Sequence, residues 1–547
     1  MKARPILTIV LLILSVRAVG AQPGSQLRFC LSSQPKTLDP LLAEDDASET
    51  LRYLTGGVLV RLNRKTQQLE AELATAWKVS PDGRNINFVL REHVRFSDGT
   101  PFSAQDVAYT MERLMDPALH SPQGDAFRSD AFRSGAGRVT TQITGNRIII
   151  ALPSPIVGLD KLFDQVAIVS ARSPLKEKAV LGPYYVAENK PGNYLLLRRN
   201  PNYWKLDNTG RKLPYIESVR IDIQQNRDIE MLRLMRGEID LINSVNAENY
   251  DTLKSRAPQM AVDAGVGLDS EEMWFNQVAR APVVGYKKAW FTSAAFRRAM
   301  SEAINRDDIV RIVFHGHAQP AISWISPANR AWFNDRLHAH QFNPVAALQK
   351  LAQDGFRLQN GVLRDRDGHP VEFSLITNSG NKNRENMAAM IQQDLSHLGI
   401  RVNVVTLDFA SLIERITRTF DYEACLLGLV NDELDPNAQM NVWLSSSENH
   451  QWNPAQKSPA TTWEAEIDRL MRAQASTFDF KKRKQAIDRV QEIVWEQEPF
   501  IYLVNKNALS AVSANVHNAS PVSLRPQVYW NIDRLTLGTQ MAGAPQR

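Results

Sequence analysis

Two His-x-His pairs, His315-Gly316-His317 and His338-Ala339-His340, are the first residues whose spacing could do chemistry. On a strand this spacing puts both imidazoles on one face, where they can ligate a transition metal. Their surroundings argue against it: the first pair follows a helix end at Phe314 and the second lies in a polar loop. Neither ligand identity nor geometry supports a site, so we expect no metal and no cofactor. Nucleophilic and phosphate chemistry are equally unsupported. The chain has no HExxH, GxSxG, GxxxxGK[ST] or GxGxxG, and no carboxylate pairs with a base in a catalytic motif. Two cysteines, Cys30 and Cys425, exclude a disulfide framework and any CxxC site.

The elements that would position a site are mixed α and β. Asn85 to Arg91 alternates apolar and polar residues and predicts a half-buried strand, and Ser97-Asp98-Gly99 predicts a turn. Ser103-Ala-Gln-Asp106 is a capping pattern, which predicts a helix over 104–115 with Val107, Met111, Leu114 and Met115 on its buried stripe. VTTQIT and RIIIAL flank Gly145-Asn146, a two-residue hairpin signal. Asn343-Pro344 offers an N-cap with Pro at the first helical position, and Gly355 closes that helix. Met387, Ile391 and Leu398 share a helix face ahead of Gly399, and the alternation of 400–404 predicts a strand. Ile487, Val490 and Val494 mark a last helix running into a strand over Phe500 to Val504.

Length and charge set the frame. A chain of 547 residues with 43% apolar side chains is too long for one core, which predicts two or more domains. The charge of +5 suggests a nucleic-acid binder until residues 1–21 are read. Lys2 and Arg4 precede an uncharged apolar run from Ile6 to Val16, followed by small residues 18–21: the pattern of a secretory signal cut near 20–21. Setting aside Lys2, Arg4 and Arg17 leaves 61 basic against 59 acidic residues, or +2, so no nucleic-acid partner is expected. No cysteine follows the cut to carry a lipid, and no later stretch approaches membrane-spanning length without charges. We therefore expect an exported, soluble protein.

Several segments, in order, carry a resemblance. They are Leu38-Asp39-Pro40, Leu73 to Trp77 with Asp82-Gly83, Phe88 to Arg91, Val94 to Phe102 (VRFSDGTPF) and Ala104 to Val107. Gly182-Pro-Tyr-Tyr185, Arg199 to Trp204 (RNPNYW), Gly237-Glu-Ile-Asp240, Phe275-Asn276 and Arg297-Arg-Ala-Met300 follow. Together they resemble the family-5 extracytoplasmic solute-binding proteins of ABC transporters, the dipeptide, oligopeptide and nickel binders. The resemblance implies an α/β periplasmic binding protein type II fold: two lobes joined by a hinge, plus an extra α/β domain inserted in the first. In this sequence lobe I would comprise 22–57, 179–265 and 505–547, the extra domain 58–178, and lobe II 266–504.

The function implied is a monomeric, non-enzymatic receptor. It would close on a peptide or similar small solute and deliver it to an ABC permease in the inner membrane. Asp432, in a segment resembling GWxxDxxDP, would pair with the ligand's N-terminal ammonium, while Asp435 would bond local backbone ahead of Pro436. Glu44 and Asp46, after the LDP, would face the cleft from lobe I, Tyr109 matches a cleft-facing aromatic of some relatives, and Trp452, with Trp443, would wall side-chain pockets. Leu429 stands where the pattern has Trp, and Ala424-Cys-Leu-Leu427 carries no basic residue. Those departures keep a metal chelate, sugar or other small solute as the alternative ligand, with a secreted hydrolase or chaperone-like protein third.

Overall fold

The computed structural model describes residues 25–127, 138–431 and 433–538. Three principal sheets organise it, and each follows from its strands' alternation. In the first, Gln26–Leu31 pairs parallel with Ser218–Ile223, and Tyr194–Arg199 and Tyr184–Lys190 continue it antiparallel. Leu27 and Phe29 point inward from its edge strand. They meet Leu51 and Leu54 of the helix Asp46–Thr55, and Tyr529 and Ile532 from near the C-terminus.

The second sheet is antiparallel, in the order Ala74–Val79, Asn85–Leu90, Arg147–Ala151, Thr140–Thr144. Ile86, Phe88 and Leu90 are buried, as the alternation predicts, and Gly145 turns the predicted hairpin at φ +59°. The helix Ala104–Met115 lays Val107, Met111 and Leu114 on this core. Its capping pattern is realised: the Asp106 carboxylate accepts from the Ser103 amide at 2.8 Å and, through its other oxygen, from the Ala171 amide at 3.0 Å. Asp106 is wholly buried, so Asp106→Ala strands both amides. The expected loss is about 2 kcal/mol of stability, read by chemical unfolding of the variant.

The third sheet is mixed. Its order is Leu241–Ile242, Ile501–Val512, Ala261–Phe275, Ala424–Leu429, Glu372–Asn378, Arg401–Leu407, with Ala318–Pro320 also on the Ile501–Val512 strand. Glu372–Asn378 runs parallel to both neighbours, the pattern that helices such as Lys382–Ser396 make possible as crossovers. The strand expected over Phe500 to Val504 is longer than its apolar stretch and reaches Val512. It pairs antiparallel with Ala261–Phe275 from Ala261↔Ala511 to Met273↔Ile501, with register shifts after Asp263, Val266 and Glu271. These two long strands carry the chain between the region of the first sheet and the rest of the third. No helix among the described residues is long and apolar enough to cross a membrane.

Candidate functional site

The two long strands floor a gap. On one of their faces Glu271 is buried, yet its carboxylate is met by Arg384 Nε at 2.8 Å and Lys506 Nζ at 3.0 Å. Burial pushes the Glu271 carboxyl up, but Lys506 and Arg384 outweigh it and hold it below the usual range. Arg384 is steadied by Asn378 Oδ1 at 2.9 Å, and Asn381 caps its helix by accepting from the Arg384 amide. Gly428 is needed beside this group, because a Cβ there would lie 2.7 Å from Glu271 Oε2.

Lys506 and Asn383 line a recess of about 860 Å³ of empty space, whose other wall is Arg227, Asn246 and Asn249. Through Asn246 and Asn383 it adjoins a larger open recess of about 1390 Å³, lined by Asp228, Asn378, Ser379 and Asn386 among others. The amide side chains offer both donors and acceptors, set beside apolar lining from Met231, Ile242, Phe314 and Leu509.

A third, smaller space of about 310 Å³ opens on the opposite face, lined by Leu268, Trp324, Asn329, Asn431 and Gln439. Asn431 fixes the segment here. Its amide donates to Asp269 Oδ1 at 3.3 Å and its Nδ2 to the Leu268 carbonyl at 3.3 Å. Lys65, Gln67 and Val157 close over this side. Gln67 Nε2 donates to the Ala328 carbonyl and Arg330 Nη2 to the Lys65 carbonyl, both at 2.7 Å, and Asn437 Nδ2 reaches the Val157 carbonyl at 3.3 Å.

The expected site residues divide. Asp432 lies outside the described residues. Asp435 accepts from the Asn437 amide at 3.1 Å, the local bond expected of it, and also binds Arg483 at 2.6 Å and Lys161 at 3.2 Å. Glu44 is exposed, 3.5 Å from Lys36, and Asp46 is exposed in the first turn of its helix, which Asp45 caps. Tyr109 packs, half-buried, on the core around Phe88 and Val107. No hydrogen bond, ion pair or ring contact among the described residues joins Glu44, Asp46, Tyr109 and Trp452.

Trp452 does not wall the gap in this structure. It is fully buried, and its indole N–H donates to Glu464 Oε1 at 3.0 Å. The ring that lines the gap is Trp324, with Trp443 behind it at 5.1 Å between centroids and Trp452 a further 5.9 Å away. Sequence reading also missed Glu271, Arg384 and Lys506. The available signal was two adjacent acids, Glu271-Glu272, directly ahead of the apolar run Met273-Trp274-Phe275.

Of the first histidine pair, His317 lines the first recess and His315 the larger one, both paired with a carboxylate. Asp251 accepts from His315 and His317 at 2.6 and 2.9 Å, and His340 stacks on Trp495 while meeting Glu498 at 2.5 Å. Asp365, Asp367 and His369 bring ligand atoms within 4.8 Å of one another. There Asp365 is occupied by the amides of Asp367 and His369 and by Trp290 Nε1. Cys30 and Cys425 are both free and buried, with burial pushing the Cys30 thiol up to about 12.

The sequence from 68 to 451 matches the family described as bacterial extracellular solute-binding proteins, family 5. The chain belongs to that family. Among curated relatives of this family-5 protein, a probable ABC transporter-binding protein of Deinococcus radiodurans is 24% identical over 88% of this chain and 87% of its own. The oligopeptide-binding protein AppA of Bacillus subtilis is 24% identical over 90% and 89%. Solved structures agree on the fold, a type II periplasmic binding protein. AppA of B. subtilis in complex with a nonapeptide superposes at TM-score 0.69 and 22% identity, over 95% of this chain and all of that one. NikA of Brucella suis in complex with Fe(III)-EDTA gives 0.75 at 18%, over 94% of this chain and all of that one.

Proposed function

We propose that this solute-binding protein captures short peptides in the gap beside its two long strands. It then presents them, chemically unaltered, to the permease of an ABC importer. In this reading it works as a periplasmic monomer after loss of residues 1–21. Lobe I is 22–57, 179–265 and 505–547, the extra domain 58–178 and lobe II 266–504. The observation that carries the reading is the space beside the two long strands lined by Leu268, Trp324, Asn329, Asn431 and Glu433, which flanks position 432 on both sides and over which Lys65, Gln67 and Val157 make bonds. Full-length likeness to relatives named for oligopeptides and D,D-dipeptides supports peptides as the class. A micromolar affinity needs only about −8 kcal/mol, within reach of one buried ion pair and several backbone hydrogen bonds. In the same reading Asp432 receives the ligand's ammonium, and Glu44, Asp46 and Tyr109 approach from the opposite wall.

The test is calorimetry with a panel of di- to pentapeptides, together with mass spectrometry of whatever copurifies and is released by denaturation. Peptides should bind, and Asp432→Asn should weaken them by about 1–3 kcal/mol through loss of one charge from a closed site. A copurifying chelate or sugar, with no peptide bound, overturns the assignment.

A further inference from the structure

His315 and His317 sit between the helix Arg306–Val313 and the short strand Ala318–Pro320. Facing them are the helix Ala247–Arg256, which carries Asp251, and the start of the strand Ala261–Phe275, which carries Asp263. One carboxylate serves both imidazoles. His315 Nδ1 is 2.6 Å from Asp251 Oδ2, and His317 Nε2 is 2.9 Å from Asp251 Oδ1. The second ring nitrogen of His317, Nδ1, is 3.4 Å from Asp263 Oδ2.

A neutral imidazole has one N–H and one lone pair. With both nitrogens against carboxylate oxygens, neutral His317 satisfies one of them and sets a lone pair against the other. Only the imidazolium donates to both. Neighbouring groups hold the arrangement in place. The Asn507 amide donates to the His317 carbonyl at 3.0 Å, and Asn507 Nδ2 donates to Asp263 Oδ2 at 3.0 Å. The Tyr250 ring meets His317 edge-on, with centroids 4.6 Å apart. Side-chain exposure is 12% at His317 and 27% at Asp263, so water relieves the mismatch of the neutral form only in part.

The charges around the pair favour the same state. Asp228 and Glu248 line the larger recess with His315, against Lys382 there and Lys254, which lies over the Tyr250 ring. Arg227 and Lys506, which line the first recess with His317, are committed to Glu230 and Glu271. On the preceding helix Asp308 answers Arg311, and Asp307 lies near the buried Arg306. Burial pushes the Asp251 carboxyl up, but the hydrogen bonds from His317 and His315 outweigh it and hold it below the usual range.

The geometry points to a proton-operated clasp across the hinge, in which His315 and His317 of lobe II fasten on Asp251 and Asp263 of lobe I. This rests on the division into lobes proposed above and adds a control to their closing. Histidine is the side chain that changes charge near neutral pH. The same structure makes the bonds of Gln67, Arg330 and Lys161 across the small space, so the fastened clasp belongs to the closed arrangement. That arrangement binds protons more tightly than the open one, and lowering the pH shifts the balance toward it.

Small-angle scattering of the unliganded protein at constant ionic strength tests this. Between pH 8 and pH 5.5 the open fraction should fall by about three- to fivefold, read as a smaller radius of gyration. His317→Gln keeps a donor for Asp251 but cannot take a proton. Combined with His315→Gln it should flatten the profile and leave the urea unfolding midpoint at pH 8 nearly unchanged. Asp263→Asn offers neutral His317 a donor and should remove part of the pH dependence. A wild-type radius that does not change with pH overturns the clasp, and so does a change that survives in the double variant. Adding di- to pentapeptides at pH 8 reports on the peptide reading separately. If none of them shrinks the molecule that reading fails, and the pH profile of the unliganded protein still decides the clasp.

Discussion

Replacing Glu464 by Ala should cost about 3–5 kcal/mol of stability. The side chain is almost completely buried in the helix Thr462–Ala475. Its Oε1 accepts from His450 Nε2 at 3.2 Å, Trp452 Nε1 at 3.0 Å and Gln456 Nε2 at 2.9 Å, and its Oε2 from Thr461 Oγ1 at 2.8 Å. Alanine takes the acceptor from two buried donors, His450 and Trp452, and opens a void beneath the tryptophan cluster. Burial alone would raise the Glu464 carboxyl, but these hydrogen bonds dominate and bring it down to about 2. The folded value lies below the unfolded one of 4.5. The charge therefore stabilises fully above about pH 4.5, and its contribution of about 3 kcal/mol is lost as pH falls toward 2. Urea unfolding followed by tryptophan fluorescence should show the variant far weaker at pH 7 and much of that difference gone near pH 2.5. A loss under about 1 kcal/mol at pH 7 would mean that the four bonds are not made together in solution.

The local devices of this fold were legible because their causes lie within a few residues. Ser103 and Asp106 are three apart, Asn343 and Pro344 adjoin, and Gly145-Asn146 needs only its own backbone freedom. The last strand was read short because Lys506 and Asn507 interrupt the apolar run after Val504. They can do so because Lys506 answers Glu271 and Asn507 Nδ2 answers Asp263 Oδ2, partners more than two hundred residues away. The site fails to appear in the sequence for the same reason. Arg384 and Glu271 are 113 positions apart and nothing near either one announces the other. Trp452 shows a different limit. Nearness in sequence to a cleft segment does not order rings in depth, and Trp324, about a hundred residues upstream, takes the outer place.

Asp435→Ala should act at two levels, and a second substitution separates them. Asp435 is held below the ordinary carboxylate range, since Arg483 and Lys161 outweigh its burial. Arg483 shows 5% side-chain exposure, and removing its carboxylate leaves a buried guanidinium with Gln474 Oε1 and the Trp332 ring, 4.7 Å to the centroid, but no counter-charge, a loss of about 3–5 kcal/mol. Lys161 comes from the short helix Leu159–Leu162 on the far side of the gap and is 43% exposed. Its bond to Asp435 is therefore worth under about 1 kcal/mol, all of it acting across the gap between the helix Leu159–Leu162 and Asp435. Lys161→Ala should leave the unfolding midpoint nearly unchanged and raise the open fraction up to about fivefold. Small-angle scattering of the unliganded protein would read this as a larger radius of gyration. Asp435→Ala should produce the same expansion together with the large loss of stability. In the double variant Lys161→Ala should add nothing to the expansion, because its acceptor is already gone. A further increase there would assign the closing contact to the Trp332 ring, over which the Lys161 ammonium lies 6.0 Å from the centroid.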